Sequence, residues 1–62
     1  MKIAVDAMGG DHAPSEIVDG CVEAALKLDS VARIFLVGDR QRIEAELARH
    51  SQVPSKLQIC HA

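Results

Sequence analysis

Val31-Ala32-Arg33-Ile34-Phe35-Leu36-Val37-Gly38 is the stretch that decides the fold. Branched and large apolar side chains fill it without regular polar alternation, and Gly38 stops it, so it predicts a buried strand of a parallel sheet. Upstream, Asp29-Ser30 forms a joint, and before it Ile17, Val18, Cys21, Val22, Ala24, Ala25 and Leu28 recur at helical intervals. They predict an amphipathic helix from Pro14 to about Leu28. Proline suits its first position, where a missing N–H is harmless, and Glu16 suits the helix dipole. Gly20 weakens the helix slightly. Further upstream, Lys2-Ile3-Ala4-Val5 reads as a buried strand closed by Asp6 at its polar carboxyl end.

Downstream, Asp39 is a good N-cap for a second helix, with Ile43, Leu47 and His50 on one face and Arg40, Arg42, Glu44, Glu46 and Arg49 turned to water. Glu46 and Arg49 are spaced to pair one turn apart. Val53-Pro54-Ser55 breaks the pattern, and Lys56-Leu57-Gln58-Ile59-Cys60-His61 reads as a third strand. The order is βαβαβ, which calls for the α/β class: a parallel sheet with right-handed crossovers and the Val31–Val37 strand at its centre. Such sheets are normally covered on both faces, and two helices cannot cover three strands twice. Residues 1–62 are therefore expected to be the first part of a single α/β domain, cut at Ala62 in mid-fold.

Composition narrows the function. A chain of 62 residues buries about 60% of what it exposes unfolded, which is marginal for independent folding. Its 48% hydrophobic content is almost wholly aliphatic, and Phe35, the one aromatic residue, provides no stacking platform for bases. Seven Lys and Arg against nine Asp and Glu leave a net charge of −2, with the basic residues scattered, so no nucleic-acid footprint is present. The apolar run at the start is too short for a signal peptide or a bilayer span. Cys21 and Cys60, in apolar periodic segments, suit a reducing compartment, and a cytoplasmic protein is expected.

Only one stretch is chemically dense. Asp6-Ala7-Met8-Gly9-Gly10-Asp11-His12-Ala13-Pro14 lies where parallel sheets bind ligands, beyond the carboxyl end of a strand. Gly9 and Gly10 let the backbone approach an anion, and a helix N-terminus opens beside them, so phosphate is the natural ligand. An equally good local reading is a tight turn in which the glycines relieve strain and Asp11 or His12 caps the helix. Neither the dinucleotide fingerprint nor the triphosphatase loop is present. Asp6, Asp11 and His12 lack the spacing of a metal site, and no metal is expected. His50 suits a helix-end residue, and His61 receives no role. In Gly38-Asp39-Arg40-Gln41-Arg42 the two arginines read first as a solvated helical turn and second as a surface for an acidic partner.

Val5-Asp6-Ala7-Met8-Gly9-Gly10-Asp11-His12-Ala13-Pro14, followed by Leu36-Val37-Gly38-Asp39, closely resembles the start of the PlsX phosphate acyltransferases. The resemblance runs through the whole chain, and its first motif is the specific part. It implies a fold akin to the phosphotransacetylase and isocitrate dehydrogenase group, in chains several times this length. It also implies transfer of a long-chain acyl group from acyl carrier protein to inorganic phosphate, giving an acyl phosphate for a membrane glycerol-3-phosphate acyltransferase. Homodimers and peripheral membrane association are further implications, and no cofactor is expected.

On that chemistry Gly9 and Gly10 give backbone approach to phosphate. Asp6 and Asp11 orient the loop or neighbouring donors, because a bare carboxylate repels phosphate; Met8 belongs to the same loop, and His12 is a further candidate donor. The catalytic residues are expected beyond Ala62, and the isolated chain is expected to be inactive. Three rivals stand beside this reading: a self-standing phosphate- or nucleotide-binding module, a structural fragment without independent function, and a phosphotransacetylase using a coenzyme A thioester.

Overall fold

The computed structural model describes residues 1–62 as β1 (Lys2–Asp6), α1 (Ser15–Lys27), β2 (Arg33–Gly38), α2 (Arg40–Leu47) and β3 (Leu57–His61). The three strands form one parallel sheet in the order β1-β2-β3, with β2 in the middle as expected. In this register Ile3, Ile34 and Leu57 align across the sheet, as do Val5, Leu36 and Ile59. Strand side chains alternate between faces, so these six share one face.

That face is the core. Ile34 and Leu36 are buried there with Val18, Cys21, Val22 and Ala25 of α1 and Ile43 of α2 in a single cluster. Burying a side chain the size of Leu36, Ile43 or Val18 stabilises the fold by about 1.5–3 kcal/mol, and these three are the largest fully buried side chains. Two right-handed crossovers stepping the same way across a sheet put both helices on the same side. Residues 1–62 therefore cover one face, and the opposite face, carrying Ala4, Phe35, Val37 and Cys60, receives no helix from them.

Element boundaries differ from the periodicity in instructive ways. Pro14 is the N-cap of α1, not its first helical residue, and follows a cis peptide bond from Ala13. The α1 cap has no side-chain hydrogen bond, so neither Asp11 nor His12 performs the capping that the turn reading gave them. Leu28 leaves the helix with extended backbone angles and is exposed. Val31 is buried but precedes β2, because its N–H is spent in a turn on the Leu28 carbonyl at 3.3 Å. Asp39 caps α2 as expected, accepting from Arg42 N–H at 3.1 Å. The helix closes at Leu47, where Arg49 N–H reaches back to the Glu46 carbonyl and tightens the last turn, leaving His50 just outside it.

Candidate functional site

β1 delivers the site. Its last residue, Asp6, lies at the carboxyl edge of the sheet, and the next residue, Ala7, is wholly buried and pinned by its N–H to the Val37 carbonyl at 2.9 Å. The chain then turns on Asp6: Met8 N–H donates to Asp6 Oδ1 at 2.9 Å, and Gly9 N–H to the Asp6 carbonyl at 3.4 Å. This is the local geometry that an aspartate offers a turn, its carboxylate replacing a backbone acceptor two residues on. One carboxylate oxygen of Asp6 is thus occupied from within the loop.

Gly10 follows with φ +94°, a backbone conformation that glycine alone adopts at no steric cost. The amides of Gly10, Asp11, His12 and Ala13 donate no hydrogen bond within the chain, and the Asp11 and His12 side chains are exposed and likewise unbonded. The His12 carbonyl accepts from Glu16 N–H at 3.3 Å and the Pro14 carbonyl from Val18 N–H at 2.9 Å, which fixes the far end of the loop to the first turn of α1. Asp6, Met8 and Gly9 therefore form one closed turn. Gly10, Asp11 and His12 form the adjoining stretch of open donors. Asp6, Asp11 and His12 do not converge as a metal-ligand set.

The second βα loop reaches the first. Arg42 Nη2 donates to the Ala13 carbonyl at 3.5 Å, while Arg40 is held by β3, its N–H on His61 Nδ1 at 3.1 Å and its guanidinium on the Ile59 carbonyl at 3.3 Å. His61, which the sequence left without a role, caps the first amide of α2. His50 Nε2 lies 2.7 Å from Asp19 Oδ1, joining the end of α2 to α1. Arg49 bonds Glu46 at 2.6 Å, as its spacing predicts, and lies 3.5 Å from Asp19. The Glu46 hydrogen bond first, and the charge of Asp19 second, hold its guanidinium above its usual range. Cys21 is a core residue whose thiol burial pushes up, away from the reactive thiolate.

A cleft of about 520 Å³ opens at the carboxyl ends of β1 and β2, between Ala4, Val5, Asp6, Met8, Val37, Gly38 and Ala62. Residue patterns did not reveal this cleft, nor the close contact that shapes it: a Cβ on Gly38 would stand 2.8 Å from both Cγ and Cε of Met8. The available signal was a glycine ending an otherwise branched apolar strand, which marks a close approach as often as a stop.

Residues 1–62 match the family described as "Fatty acid synthesis protein" over their whole length. The chain belongs to that family. Among its relatives, the phosphate acyltransferase of Synechocystis sp. is 56% identical over 61 residues, covering 98% of this chain and 17% of the relative. That of Crocosphaera subtropica is 57% identical over 54 residues, covering 87% and 15%. That of Moorella thermoacetica is 65% identical over 48 residues, covering 77% and 14%.

The resemblance to the start of the PlsX phosphate acyltransferases is borne out, and so is the βαβαβ order with a parallel sheet. The chain spans about one-sixth of the length of these curated relatives, 17% in the Synechocystis case. No helix of the chain is long and apolar enough to cross a membrane.

Proposed function

We propose that these residues form the first lobe of an acyltransferase of lipid synthesis, which moves a fatty acyl group from acyl carrier protein to inorganic phosphate, and that the loop Asp6–Pro14 helps to hold the phosphate. One observation carries the reading: four successive amides, from Gly10 to Ala13, stand without partners at the carboxyl edge of a parallel sheet. Ligands of open parallel sheets bind at that edge. Backbone N–H groups held in place by folding favour an anion without reorganising when it arrives. Asp6 does not oppose this as a bare carboxylate would, since its Oδ1 accepts from Met8 N–H.

In the reaction a phosphate oxygen attacks the thioester carbonyl and forms the new C–O bond. The tetrahedral intermediate then expels the carrier-protein thiolate as the C–S bond breaks, and the proton of hydrogen phosphate passes to that sulfur. Fixed donors beside the attacking phosphate lower the barrier by orientation and by charge stabilisation. The names of the relatives, phosphate acyltransferases, support this choice of chemistry. Acyl carrier protein as donor, a homodimeric state, peripheral contact with membrane and hand-over to a membrane acyltransferase belong to the same proposal.

The test is phosphate-dependent release of free carrier-protein thiol from acyl-acyl carrier protein by a polypeptide of the relatives' length, beside the same assay on acyl-coenzyme A. Faster turnover of the carrier-protein thioester is expected. Preference for coenzyme A would transfer the reading to a phosphotransacetylase. Residues 1–62 alone are expected to release no thiol above background. Saturable phosphate binding by them without turnover of the longer polypeptide would instead make the loop a binding module.

A further inference from the structure

We infer that Arg42 is the cation of the phosphate site, its guanidinium pairing with the phosphate that the amides of Gly10–Ala13 hold; this rests on the reading of the loop given above. The need for a cation follows from the loop itself. Residues 6–14 contain two aspartates, Asp6 and Asp11, and neither lysine nor arginine. Asp6 is tied into the turn by Met8 N–H, but Asp11 is exposed and its charge has no partner. Hydrogen phosphate brought to the open amides adds further negative charge there. Backbone dipoles meet that load better when a fixed positive group from outside the loop shares it.

Arg42 is the residue placed to supply it. Its Nη2 donates to the Ala13 carbonyl at 3.5 Å, so the side chain leans from α2 onto the far end of the loop, 29 residues back along the chain. Its own backbone N–H is held by Asp39 Oδ1 at 3.1 Å, which fixes where the side chain leaves the helix. The neighbouring arginines are committed elsewhere. Arg40 Nη2 donates to the Ile59 carbonyl at 3.3 Å, and Arg49 pairs with Glu46 at 2.6 Å and Asp19 at 3.5 Å. Arg42 makes no ion pair. A guanidinium carries its N–H donors in a planar fork that matches two phosphate oxygens, and the one bond to Ala13 leaves most of that fork free. Arg42 lies in α2 and Ala13 at the entry to α1, so the contact belongs to the helical layer and owes nothing to the sheet face without helices.

The experiment uses the polypeptide of the relatives' length, unsubstituted and as Arg42→Gln, Arg42→Lys and Arg40→Gln. KM is measured separately for phosphate and for acyl-acyl carrier protein, and melting curves are recorded with and without inorganic phosphate. Losing a charge-assisted hydrogen bond to a bound anion costs about tenfold or more in affinity. Arg42→Gln is therefore expected to raise the KM for phosphate by about tenfold and to remove most of the phosphate-induced rise in melting temperature, while the KM for the acyl donor stays within about twofold. Arg42→Lys keeps the charge but loses the fork, and should raise the phosphate KM by about threefold. Arg40→Gln should match the unsubstituted protein. If Arg42→Gln leaves the phosphate KM unchanged, or weakens both substrates and the phosphate-free melting temperature together, Arg42 only braces the Ala13 carbonyl and the inference is overturned. Should Arg42→Gln fail to fold, Arg42→Lys decides, and an unchanged phosphate KM there overturns it. An unsubstituted polypeptide that neither turns over with phosphate nor is stabilised by it overturns both readings. A phosphate KM raised by Gly10→Ala but unmoved by Arg42→Gln keeps the loop and overturns the role of Arg42 alone.

Discussion

At the scale of single residues the adjacent glycines of the site separate into different tasks. Gly10, at φ +94° with nothing within 4 Å of a built Cβ, is glycine for its backbone alone. Gly9 has no such φ, and a Cβ there would meet Asp6 Oδ2 at an ordinary 3.5 Å. Placing a side chain in the left-handed region costs about 1–2 kcal/mol, so Gly10→Ala is expected to lower stability by about that amount. Because the neighbouring amides take their direction from this residue, its KM for phosphate should rise several-fold while the KM for the acyl donor holds. Gly9→Ala should do much less on both counts. Melting curves and steady-state kinetics of the two variants check this; equal effects would mean that the turn tolerates either conformation. The glycine-rich character of the loop was legible in the sequence, which left an anion site and a plain turn as equal readings. The sequence could not say which glycine the backbone needs, because two adjacent glycines are alike in sequence and only the folded turn sets φ +94° at Gly10.

Elements were more legible than their ends. The run Ile34–Val37 announced a central strand because burial on a parallel sheet demands continuous apolar character, and Asp39 announced α2 because its carboxylate meets the Arg42 amide. Leu28 and Val31 misled, since their hydrophobicity continues the periodic patterns while their backbone lies in the connection between α1 and β2. What spacing cannot show is contact between elements distant in sequence, and the clamp of α1 to α2 is such a contact. Asp19 Oδ1 meets His50 Nε2 at 2.7 Å and Arg49 Nη1 at 3.5 Å, and Arg49 also reaches Ser15 Oγ at 3.3 Å. All these groups are partly exposed, and pairs of that kind contribute little each and are screened by salt. Asp19→Ala is accordingly expected to lower the melting temperature by no more than a few degrees, with the gap narrowing as salt is raised. A gap that persisted in high salt would show that the carboxylate acts by packing or by direct hydrogen bonding to His50.

For the whole molecule the decisive feature is the face without helices. Its centre is Phe35 and Val37 of β2, flanked by Ala4 of β1 and Cys60 of β3, while the helices and the core cluster lie opposite. A parallel sheet is stable in water when both faces are covered, so this surface should be the one most altered between residues 1–62 alone and a polypeptide of the relatives' length. Cys60 reports on it directly. Its exposed thiol is one of two free cysteines, the other being the buried Cys21. In residues 1–62 alone, a thiol-alkylating reagent is expected to modify Cys60 quickly and Cys21 slowly, and the open face should drive self-association that increases with concentration. In the longer polypeptide Cys60 should fall to the slow rate of Cys21, because helices contributed by later residues would lie over Phe35 and Val37. Reading both sites by mass after timed labelling separates the cases. Equal protection of Cys60 in the short chain would mean that self-association already covers the face, which dilution would reverse. Persistent fast labelling in the longer polypeptide would mean that the sheet stays open on that side, and the covering of both faces expected for this fold would then be wrong.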